Sequence, residues 1–325
     1  MIATKVKPYY KTEWGYAYLG GAFDLLDIVD KGSVDLIMTS PPFALRRKKE
    51  YGNVDAEKYV EWFLPFAEKF FDVLKPKGSL VIDIGGSWIS GKPVKSLYHY
   101  ELLLALCKMP SRKFYLAQEF FWYNPARLPT PAEWVNVRRE RVKDAVNCIW
   151  WLSKDPHPKA NNRNVLQPYS DSMLELLRKG YKAKLRPSGH DISTKFNRDN
   201  GGAIPPNLLE ISNTESNSRY LRACREANIL PHPARYPALV PEFFIKFLTE
   251  ERDLVLDPFA GSNVTGEVAE RLNRRWIVIE LMEEYLKGSK FRFDQFCIGN
   301  WTGKNGQKAF FIKEPKKVYS VNRKK

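Results

Sequence analysis

The sequence predicts an α/β fold in which helices cover a largely parallel sheet. Two observations lead to this prediction. Short runs rich in β-branched residues alternate with amphipathic segments along most of the chain. In addition, a strand pattern, a helix pattern and a second strand pattern follow one another near both ends, which is the order of a parallel crossover unit. The 325 residues suffice for one large domain or two moderate ones.

The first crossover unit is predicted between residues 32 and 86. The run GSVDLIMTS is typical of a buried strand, and LVIDIGG of a second one. Between them, AEKYVEWFLPFAEKFFDVLKPKGS has apolar positions at helical spacing and is expected to break near Pro76 and Gly78. Two further strands are predicted in KFYLAQEFFWYNP and DAVNCIWWLSK, separated by a proline-rich turn.

The middle of the chain has a different character. Between residues 155 and 230 the hydrophobic periodicity fades, while polar residues, Gly and Pro become frequent. A loop-rich segment of this length is unusual in a compact chain and needs a functional reason. We therefore predict a separate small recognition domain at residues 155–230.

Regular structure is predicted again in the last third of the chain. YPALVPEFFIKFLTE is expected to be a helix on which Phe243, Phe244 and Phe247 share a face. The following RDLVLDPFAGSNVTGEVAERLNRRWIVIEL has the pattern strand, glycine turn, helix and strand. The sheet is therefore expected to draw on both ends of the chain.

Charge and cysteine content limit the classes of function. Lys and Arg outnumber Asp and Glu by 52 to 37, a net charge of +15 that favours a polyanionic partner such as nucleic acid. Cys107, Cys148, Cys224 and Cys297 lie far apart with no CxxC pair, which predicts neither a metal site nor a disulfide framework. Without an apolar run of transmembrane length, we expect a cytoplasmic protein with no membrane partner.

The string DLVLDPFAGSNVTG predicts a cofactor site. Its strand ends in Asp257, and Gly261 lies in the turn before a helix that begins near Ser262 or Asn263. Such a turn lets backbone N–H groups approach a ligand closely. The next strand ends in Glu280, near the offset of about 20 residues at which an acidic side chain meets ribose hydroxyls. The absence of GxGxxG and GxxxxGK[ST] disfavours NAD, FAD and ATP and favours S-adenosylmethionine.

The string TSPPF predicts the reactive part of the site. Pro41 and Pro42 hold Ser40 extended at the carboxyl end of its strand, where open α/β sheets bind ligands. The Ser40 hydroxyl and a backbone carbonyl are two acceptors, and Phe43 is a ring for stacking. Two acceptors beside a flat ring suit a planar group that carries an exocyclic NH₂.

SPPF and DPFAGSN together resemble motifs IV and I of the amino-methyltransferases that act on DNA. In that family, serine at the head of the tetrapeptide is typical of enzymes for N4 of cytosine, while adenine enzymes usually carry aspartate or asparagine. Catalytic motif, recognition segment and cofactor motif follow in an order similar to the family's β order, over nearly the whole chain. The resemblance implies a permuted, Rossmann-like, S-adenosylmethionine-dependent methyltransferase sheet with an inserted target-recognition domain.

The resemblance also implies domain limits and residue roles. Residues 1–154 and 231–312 would form the catalytic and cofactor-binding domain, 155–230 the target-recognition domain and 313–325 a basic tail. The expected catalytic residues are Ser40, Pro41, Pro42, Phe43 and Asp83. The expected cofactor-binding residues are Asp257, Pro258, Phe259, Ala260, Gly261, Ser262, Asn263 and Glu280, with Pro233, Arg235 and Pro237 from a segment similar to motif X.

Asp83 has two interpretations at this stage. It would orient the Ser40 hydroxyl or take up the proton lost after transfer, or it is an ordinary strand-end carboxylate that binds nearby backbone. The N-terminal region departs from the family, because Gly20 and Gly21 stand where a Gly-Asp pair is common. A cofactor contact from an aspartate at that place is therefore not predicted.

Contacts with DNA are expected from two segments. The basic run after the catalytic strand would bind phosphates through Arg46, Arg47, Lys48 and Lys49. The inserted segment would read base edges through Arg186, Ser188, His190 and Asp191. The target amine lies inside the duplex, so its base must be flipped out. Strings such as RPSGHDI and DNGGAIPPNLLEISNTESN resemble a family member that modifies cytosine within CAGCTG, which is the target expected here.

Other functions stay open on the sequence alone. The tetrapeptide suits any planar amine, so an adenine-N6 or RNA amino-methyltransferase is the nearest alternative, and a DNA-binding module without catalysis is another. Methylation at carbon 5 of cytosine is disfavoured, because it uses a thiolate, usually in a Pro-Cys pair, and no proline precedes a cysteine here. We expect the modification half of a prokaryotic restriction-modification system, whose cognate endonuclease acts on the same site without forming a stable complex.

Overall fold

The computed structural model describes residues 6–44, 54–180, 198–214 and 218–293. Its strands are β1 (Tyr10–Lys11), β2 (Gly15–Leu19), β3 (Val34–Thr39), β4 (Leu74–Ile84), β5 (Tyr115–Tyr123), β6 (Val146–Ser153), β7 (Leu208–Glu210), β8 (Leu254–Asp257) and β9 (Arg275–Glu280). Its α-helices are α1 (Ala22–Leu25), α2 (Tyr59–Val73), α3 (Tyr98–Lys108), α4 (Asp171–Lys179), α5 (Arg219–Glu226), α6 (Leu239–Leu248), α7 (Val264–Arg271) and α8 (Glu283–Ser289).

Within these described ranges the strands form one nine-stranded sheet in the order β1-β2-β9-β8-β3-β4-β6-β5-β7. The pairs from β2 to β4 are parallel, whereas β6 runs antiparallel to both β4 and β5. The parallel part therefore combines strands from both ends of the chain. This arrangement confirms the predicted α/β class, and it places the carboxyl ends of five strands along one edge.

Two hydrophobic clusters cover the two faces of the sheet. Alternate residues of one strand belong to different clusters: Ile37 of β3 packs in one, and Leu36 and Met38 pack in the other. The first cluster lies beneath α2 and α3, and the second beneath α6 and α7. The predicted common face of α6 is confirmed, since Phe244 and Phe247 are buried in the second cluster and Phe243 packs against it.

The helix predicted from residue 56 ends earlier than expected. α2 stops at Val73, and Leu74 is already extended, so Pro76 and Gly78 belong to β4 rather than to a broken helix end. Proline disfavours helical backbone in the residue before it, which explains why the chain leaves the helix ahead of Pro76. The earlier exit lengthens β4 to 11 residues.

Several elements had no clear sequence signal. α3, α4, α5 and β7 were not predicted, and the last three lie within residues 155–230. β7 pairs in parallel with β5 and thereby extends the main sheet. That residues 155–230 form the target-recognition domain stays a prediction. None of the helices in the described ranges is both long and apolar enough to cross a membrane.

Candidate active site

A cavity of about 680 Å³ lies at the carboxyl ends of β2, β9, β8, β3 and β4. This is the edge at which open α/β sheets bind ligands. Its wall contains the tetrapeptide that begins at Ser40, the glycine turn around Gly261, and the side chains of Asp83 and Glu280. The fold therefore brings the two predicted motifs, which are distant in sequence, into one space.

The tetrapeptide is held by Tyr59 of α2 and by Gly85, the residue that follows β4. The hydroxyl of Tyr59 donates a hydrogen bond to the Pro42 carbonyl at 2.9 Å. The Phe43 ring lies against Gly85, where a Cβ atom would come within 2.6 Å of ring atom Cε2. A glycine at position 85 is therefore what lets the Phe43 ring lie flat at the cavity wall.

Asp83 lies buried at the end of β4 with one carboxylate oxygen facing the tetrapeptide. Its Oδ2 accepts a hydrogen bond from Ser40 Oγ at 3.3 Å, and its Oδ1 accepts one from Asn147 Nδ2 at 3.2 Å. Burial raises the pKa of Asp83 to about 7, while the donors Asn147 and Ser40 and the positive charge of Arg127 act in the opposite direction. A proton can therefore move on and off this carboxyl near neutral pH.

Two tyrosines behind the tetrapeptide act as fixed donors. The Tyr98 hydroxyl donates to the Gly85 carbonyl, and the Tyr59 and Tyr98 rings meet edge to face at 4.8 Å. Burial raises the pKa of both phenols above the usual range, so they stay neutral at physiological pH. Their hydroxyl groups thus link α2 to the Pro42 carbonyl and α3 to the Gly85 carbonyl.

Asp257 lies behind the cavity wall and is not among its lining residues. Its Oδ1 accepts from Thr39 Oγ1 at 2.8 Å and from the Phe259 backbone N–H at 3.1 Å. Its Oδ2 accepts from Thr265 Oγ1 at 2.6 Å and from the Tyr236 hydroxyl at 3.3 Å. Burial raises the pKa of Asp257, and these four donors oppose that rise. The carboxylate thus links β3, β8 and α7 behind the cavity wall.

Asn263 and Pro237, two other predicted cofactor residues, also support the wall rather than line it. Asn263 is the N-cap of α7, where its side chain accepts a hydrogen bond from the Gly266 N–H at 2.9 Å and its backbone is left-handed. Pro237 is buried next to the start of α6. The remaining predicted cofactor residues, Pro258, Phe259, Ala260, Gly261, Ser262, Glu280, Pro233 and Arg235, line the cavity.

The glycine turn and Glu280 hold each other in place. The Gly261 N–H donates to Glu280 Oε2 at 2.7 Å, and the Met282 N–H donates to Oε1 at 2.8 Å. Gly261 has a φ of +53°, and a Cβ atom there would lie 3.0 Å from the His232 ring. Burial raises the pKa of Glu280, and the backbone donors act against it. Both carboxylate oxygens are thus fixed, and each keeps a lone pair for a ligand hydroxyl.

The rest of this end suits an adenosine with an amino-acid tail. Phe259 packs against Trp62 at 6.0 Å and Phe66 at 5.4 Å between ring centroids, and all three rings line the cavity. Such rings can stack on a purine, and Glu280 can bind ribose hydroxyls. The Arg235 Nε is buried without a hydrogen-bond partner among the described residues, and a guanidinium suits a carboxylate. These groups fit the predicted S-adenosylmethionine.

The cavity wall also contains residues that the sequence did not single out. On the cofactor side they include Trp62 and Phe66, whose aromatic i, i+4 spacing on α2 was an available signal. On the catalytic side they include Asn124, Arg127, Asn147 and Asn213. For Asn147 the signal was a polar residue within the otherwise apolar strand β6.

The predicted DNA contacts lie in segments whose structure is not described. Arg46, Arg47, Lys48, Lys49, Arg186, Ser188, His190 and Asp191 all fall outside the described residues. Their roles stay predictions. In the part of the chain that the structure describes, no group of three His, Cys, Asp or Glu side chains could hold a metal ion.

Comparison with known proteins gives consistent matches along the chain. A family model described as DNA methylase, for N6 and N4 methyltransferases, matches residues 34–291. The type II methyltransferase M.PvuII of Proteus hauseri is 52% identical over 290 residues, which cover 88% of this chain and 86% of that protein. M.HpaI of Haemophilus parainfluenzae is 27% identical over 84% of this chain and 72% of its own length.

Solved structures agree with these matches. The PvuII DNA methyltransferase, described as cytosine-N4-specific, superimposes with a TM-score of 0.72 at 46% identity, over 88% of this chain and 89% of that one. A DNA modification methylase of Thermus thermophilus, solved with S-adenosylmethionine, matches with a TM-score of 0.54 at 20% identity, over 87% and 95% of the two chains. The second match supports the fold alone, and the first confirms the predicted α/β architecture.

Proposed function

The chain belongs to the N6/N4 family of DNA methylases, and we propose that it transfers a methyl group from S-adenosylmethionine to N4 of cytosine in duplex DNA. One observation carries the proposal. Ser40, Phe43 and Asp83 lie in the same cavity as the glycine turn and Glu280, so an amine acceptor and an adenosine cofactor would share one space.

S-adenosylmethionine supplies an electrophilic methyl group on a sulfonium. On the side of the chain, Glu280 would bind the ribose hydroxyls and Arg235 the methionine carboxylate. The rings of Trp62, Phe66 and Phe259 would enclose the adenine. The backbone around Gly261 would approach the cofactor closely, because Gly261 has no side chain and adopts a positive φ without strain.

The target base would have to leave the helix to reach this cavity. Unstacking a base costs a few kcal/mol, and we propose that stacking on Phe43 offsets part of that cost. Ser40 Oγ and the Pro41 carbonyl would accept hydrogen bonds from the two N4 hydrogens. Because Ser40 uses its own hydrogen toward Asp83, its lone pairs are available to the amine. These bonds would turn the nitrogen lone pair out of conjugation with the ring.

Attachment of a methyl group leaves the amine nitrogen positively charged, and one of its protons must then be removed. That proton would pass to Ser40 Oγ, while the hydroxyl proton of Ser40 passes to Asp83 Oδ2. The products are then a neutral methylated amine, S-adenosylhomocysteine, an intact serine and a protonated Asp83. The direct contact between Ser40 and Asp83, and a carboxyl that titrates near neutral pH, support this role over a purely structural one.

Cytosine is favoured over adenine by the serine at the head of the tetrapeptide and by the cytosine-N4 specificity of the related PvuII enzyme. We extend the proposal to the target CAGCTG, read by Arg186, Ser188, His190 and Asp191. The basic run at residues 46–49 would bind the phosphates beside the flipped base. The relative M.PvuII is a type II methyltransferase, which supports a restriction-modification role with a cognate endonuclease in a bacterial cytoplasm.

Transfer of a labelled methyl group to matched duplexes tests the target. One duplex would contain CAGCTG and the other CTGCAG, which has the same base composition. We expect label in the first duplex alone, and none with the Ser40→Ala variant. Equal labelling of both duplexes would contradict the target sequence, and absence of label from both would contradict the proposed substrate.

A further inference from the structure

A chain of polar side chains continues beyond Asp83, away from Ser40. Asn147, on β6 and only 8% exposed, donates from Nδ2 to Asp83 Oδ1 at 3.2 Å. Arg127, in the segment between β5 and β6, donates from Nη1 to Asn147 Oδ1 at 2.9 Å. All of these side chains line the cavity. Arg127 therefore donates to Asn147, and Asn147 donates to Asp83. Ser40 donates to the other oxygen of Asp83.

The identity of the groups fixes the direction of these bonds. A guanidinium can only donate, so the carbonyl oxygen of the Asn147 amide must face Arg127. The NH₂ of the same amide must then face Asp83, where it too can only donate. Asp83 Oδ1 is consequently always an acceptor, and a proton on this carboxyl has to reside on Oδ2, the oxygen beside Ser40.

Arg127 is itself held in place by its surroundings. Its backbone N–H donates to the Asn124 carbonyl at 3.1 Å, and its own carbonyl accepts from Lys143 Nζ at 3.2 Å. Asn124 in turn accepts through Oδ1 from the Asn213 backbone N–H at 3.2 Å. The backbone of Arg127 is thus fixed by the segment between β5 and β6, and its guanidinium is directed by the bond to Asn147.

Among the described residues, three titratable groups that interact with Asp83 are neutral in the working range of pH. Burial raises the pKa of Cys148, on β6, to about 11, and raises those of Tyr98 and Tyr236 above the usual range. Asp257 lies on the far side of Tyr236. Among the described residues around Asp83, Arg127 is the positive charge that favours the ionised carboxylate.

We propose that Asn147 and Arg127 are positioning residues, which hold Asp83 so that Oδ2 alone takes the proton that the amine releases through Ser40. The step balances: an N–H bond breaks as a Ser40 O–H bond forms, and the original Ser40 O–H bond breaks as Asp83 Oδ2–H forms. The inference rests on the proposed function, because it deepens the role of Asp83 in that reaction.

Direct titration of Asp83 tests the inference without any methyl transfer. Carboxyl carbons of Asp would be labelled with ¹³C, and the Asp83 signal identified by its loss in Asp83→Asn. We compare Arg127→Met, which loses the charge, with Arg127→Lys, which keeps it, and with Arg138→Met, an exposed arginine in the same segment that pairs with Glu133. Asn147→Ala removes the donor to Oδ1.

We expect the Asp83 titration to move upward by about one pH unit in Arg127→Met and Asn147→Ala. Arg127→Lys should restore most of the original value, and Arg138→Met should not change it. In single-turnover methyl transfer at pH 7, such a shift lowers the ionised fraction and the rate about fivefold, with recovery at higher pH. A merely structural role would lower the rate at every pH alike.

An unchanged Asp83 titration in Arg127→Met would overturn the inference. Arg127 is only half-buried, so this variant decides the matter even if Asn147→Ala fails to fold. The two proposals are also separable. If the Asp83 pKa rises in Arg127→Met but the unchanged protein methylates no cytosine, the proposed function alone is refuted. If the protein methylates cytosine but the Asp83 pKa does not rise in this variant, this inference alone is refuted.

Discussion

The buried carboxylates at the two ends of the cavity differ in the number and length of the hydrogen bonds that they accept. At the cofactor end, Asp257 accepts four hydrogen bonds, and Glu280 accepts backbone N–H groups on both oxygens. At the catalytic end, Asp83 accepts one bond on each oxygen, at 3.2 and 3.3 Å. Burial raises the pKa of all three carboxyls, and it raises that of Asp83 to about 7.

This difference separates a rigid end from a reactive one. Asp257 accepts four donors, and Glu280 accepts two at 2.7 and 2.8 Å, so both carboxylates are fixed as supports of the glycine turn. The two bonds to Asp83 are longer than those to Glu280, and a group that titrates near neutral pH is suited to proton transfer. We expect changes at the two ends to have different consequences: loss of chemistry at one and loss of cofactor affinity at the other.

The largest effect is expected when the reactive end loses its proton acceptor. Asp83→Asn keeps the shape but has an amide where the reaction needs a base, and it should lower the single-turnover rate about 10²–10⁴-fold. S-adenosylmethionine binding should stay the same, because Asp83 belongs to the other end. Rapid-quench kinetics and calorimetric titration measure the two quantities. A normal single-turnover rate in Asp83→Asn would contradict the role of Asp83 as the proton acceptor.

The same substitution should stabilise the protein in alkaline solution. The folded-state pKa of Asp83, about 7, lies above the ordinary aspartate value, so the folded state binds more protons between about pH 4 and 7 and loses stability as pH rises through that window. Asp83→Asn removes this cost and should raise the free energy of unfolding at pH 8 by on the order of 2–4 kcal/mol.

Urea denaturation at pH 8 and near pH 4 checks this prediction. The gain should be present at pH 8 and absent near pH 4, where the carboxyl of the unchanged protein is protonated in the folded state. A gain of equal size at both pH values would mean that the substitution acts through packing and not through the charge of Asp83.

At the cofactor end, Glu280→Gln should weaken cofactor binding. The amide keeps one acceptor oxygen, but its NH₂ would face a backbone N–H, either of Gly261 or of Met282. Loss of a hydrogen bond to a charged group costs about 1.5–3 kcal/mol, or roughly 10- to 100-fold in Kd. Isothermal titration with S-adenosylmethionine measures the change, and the rate at saturating cofactor should be nearly normal. Undiminished affinity would contradict the ribose contact.

A smaller effect is expected from the stacking ring. Phe43→Ala should weaken binding of a duplex with a flipped target base by about 1–3 kcal/mol, the usual range for a base on an aromatic ring. Gly85→Ala should act in the same direction, because its methyl group would come within 2.6 Å of the Phe43 ring and displace it. Fluorescence of a cytosine analogue at the target position reports flipping in both variants. A full signal with Phe43→Ala would show that another group supports the base.

The sequence was most informative where one segment determines its own structure. The buried run of β3, the glycine turn before α7 and the carboxylate that ends β9 could all be predicted from local composition and turn chemistry. The tetrapeptide was recognisable because two prolines restrict the backbone around Ser40 whatever lies nearby.

The partners of Asp83 could not be predicted in the same way. Asn147 reaches Asp83 because β6 pairs antiparallel with β4 so that Asp83 lies opposite Ile149, and Asn147, two residues along, projects to the same face. A one-residue shift in that register would turn Asn147 to the other face. Such a register depends on the whole sheet, and the sequence of either strand alone does not contain it.

Identification of the modified nucleoside shows directly which base and which atom the protein methylates. Duplex DNA would be incubated with the purified protein and S-adenosylmethionine, digested to nucleosides and analysed by mass spectrometry, with Ser40→Ala as the matched control. We predict N4-methylcytosine with the unchanged protein and a large loss of that product with the variant. N6-methyladenine or 5-methylcytosine as the product, or no methylated nucleoside from a protein that binds both cofactor and DNA, would contradict the account.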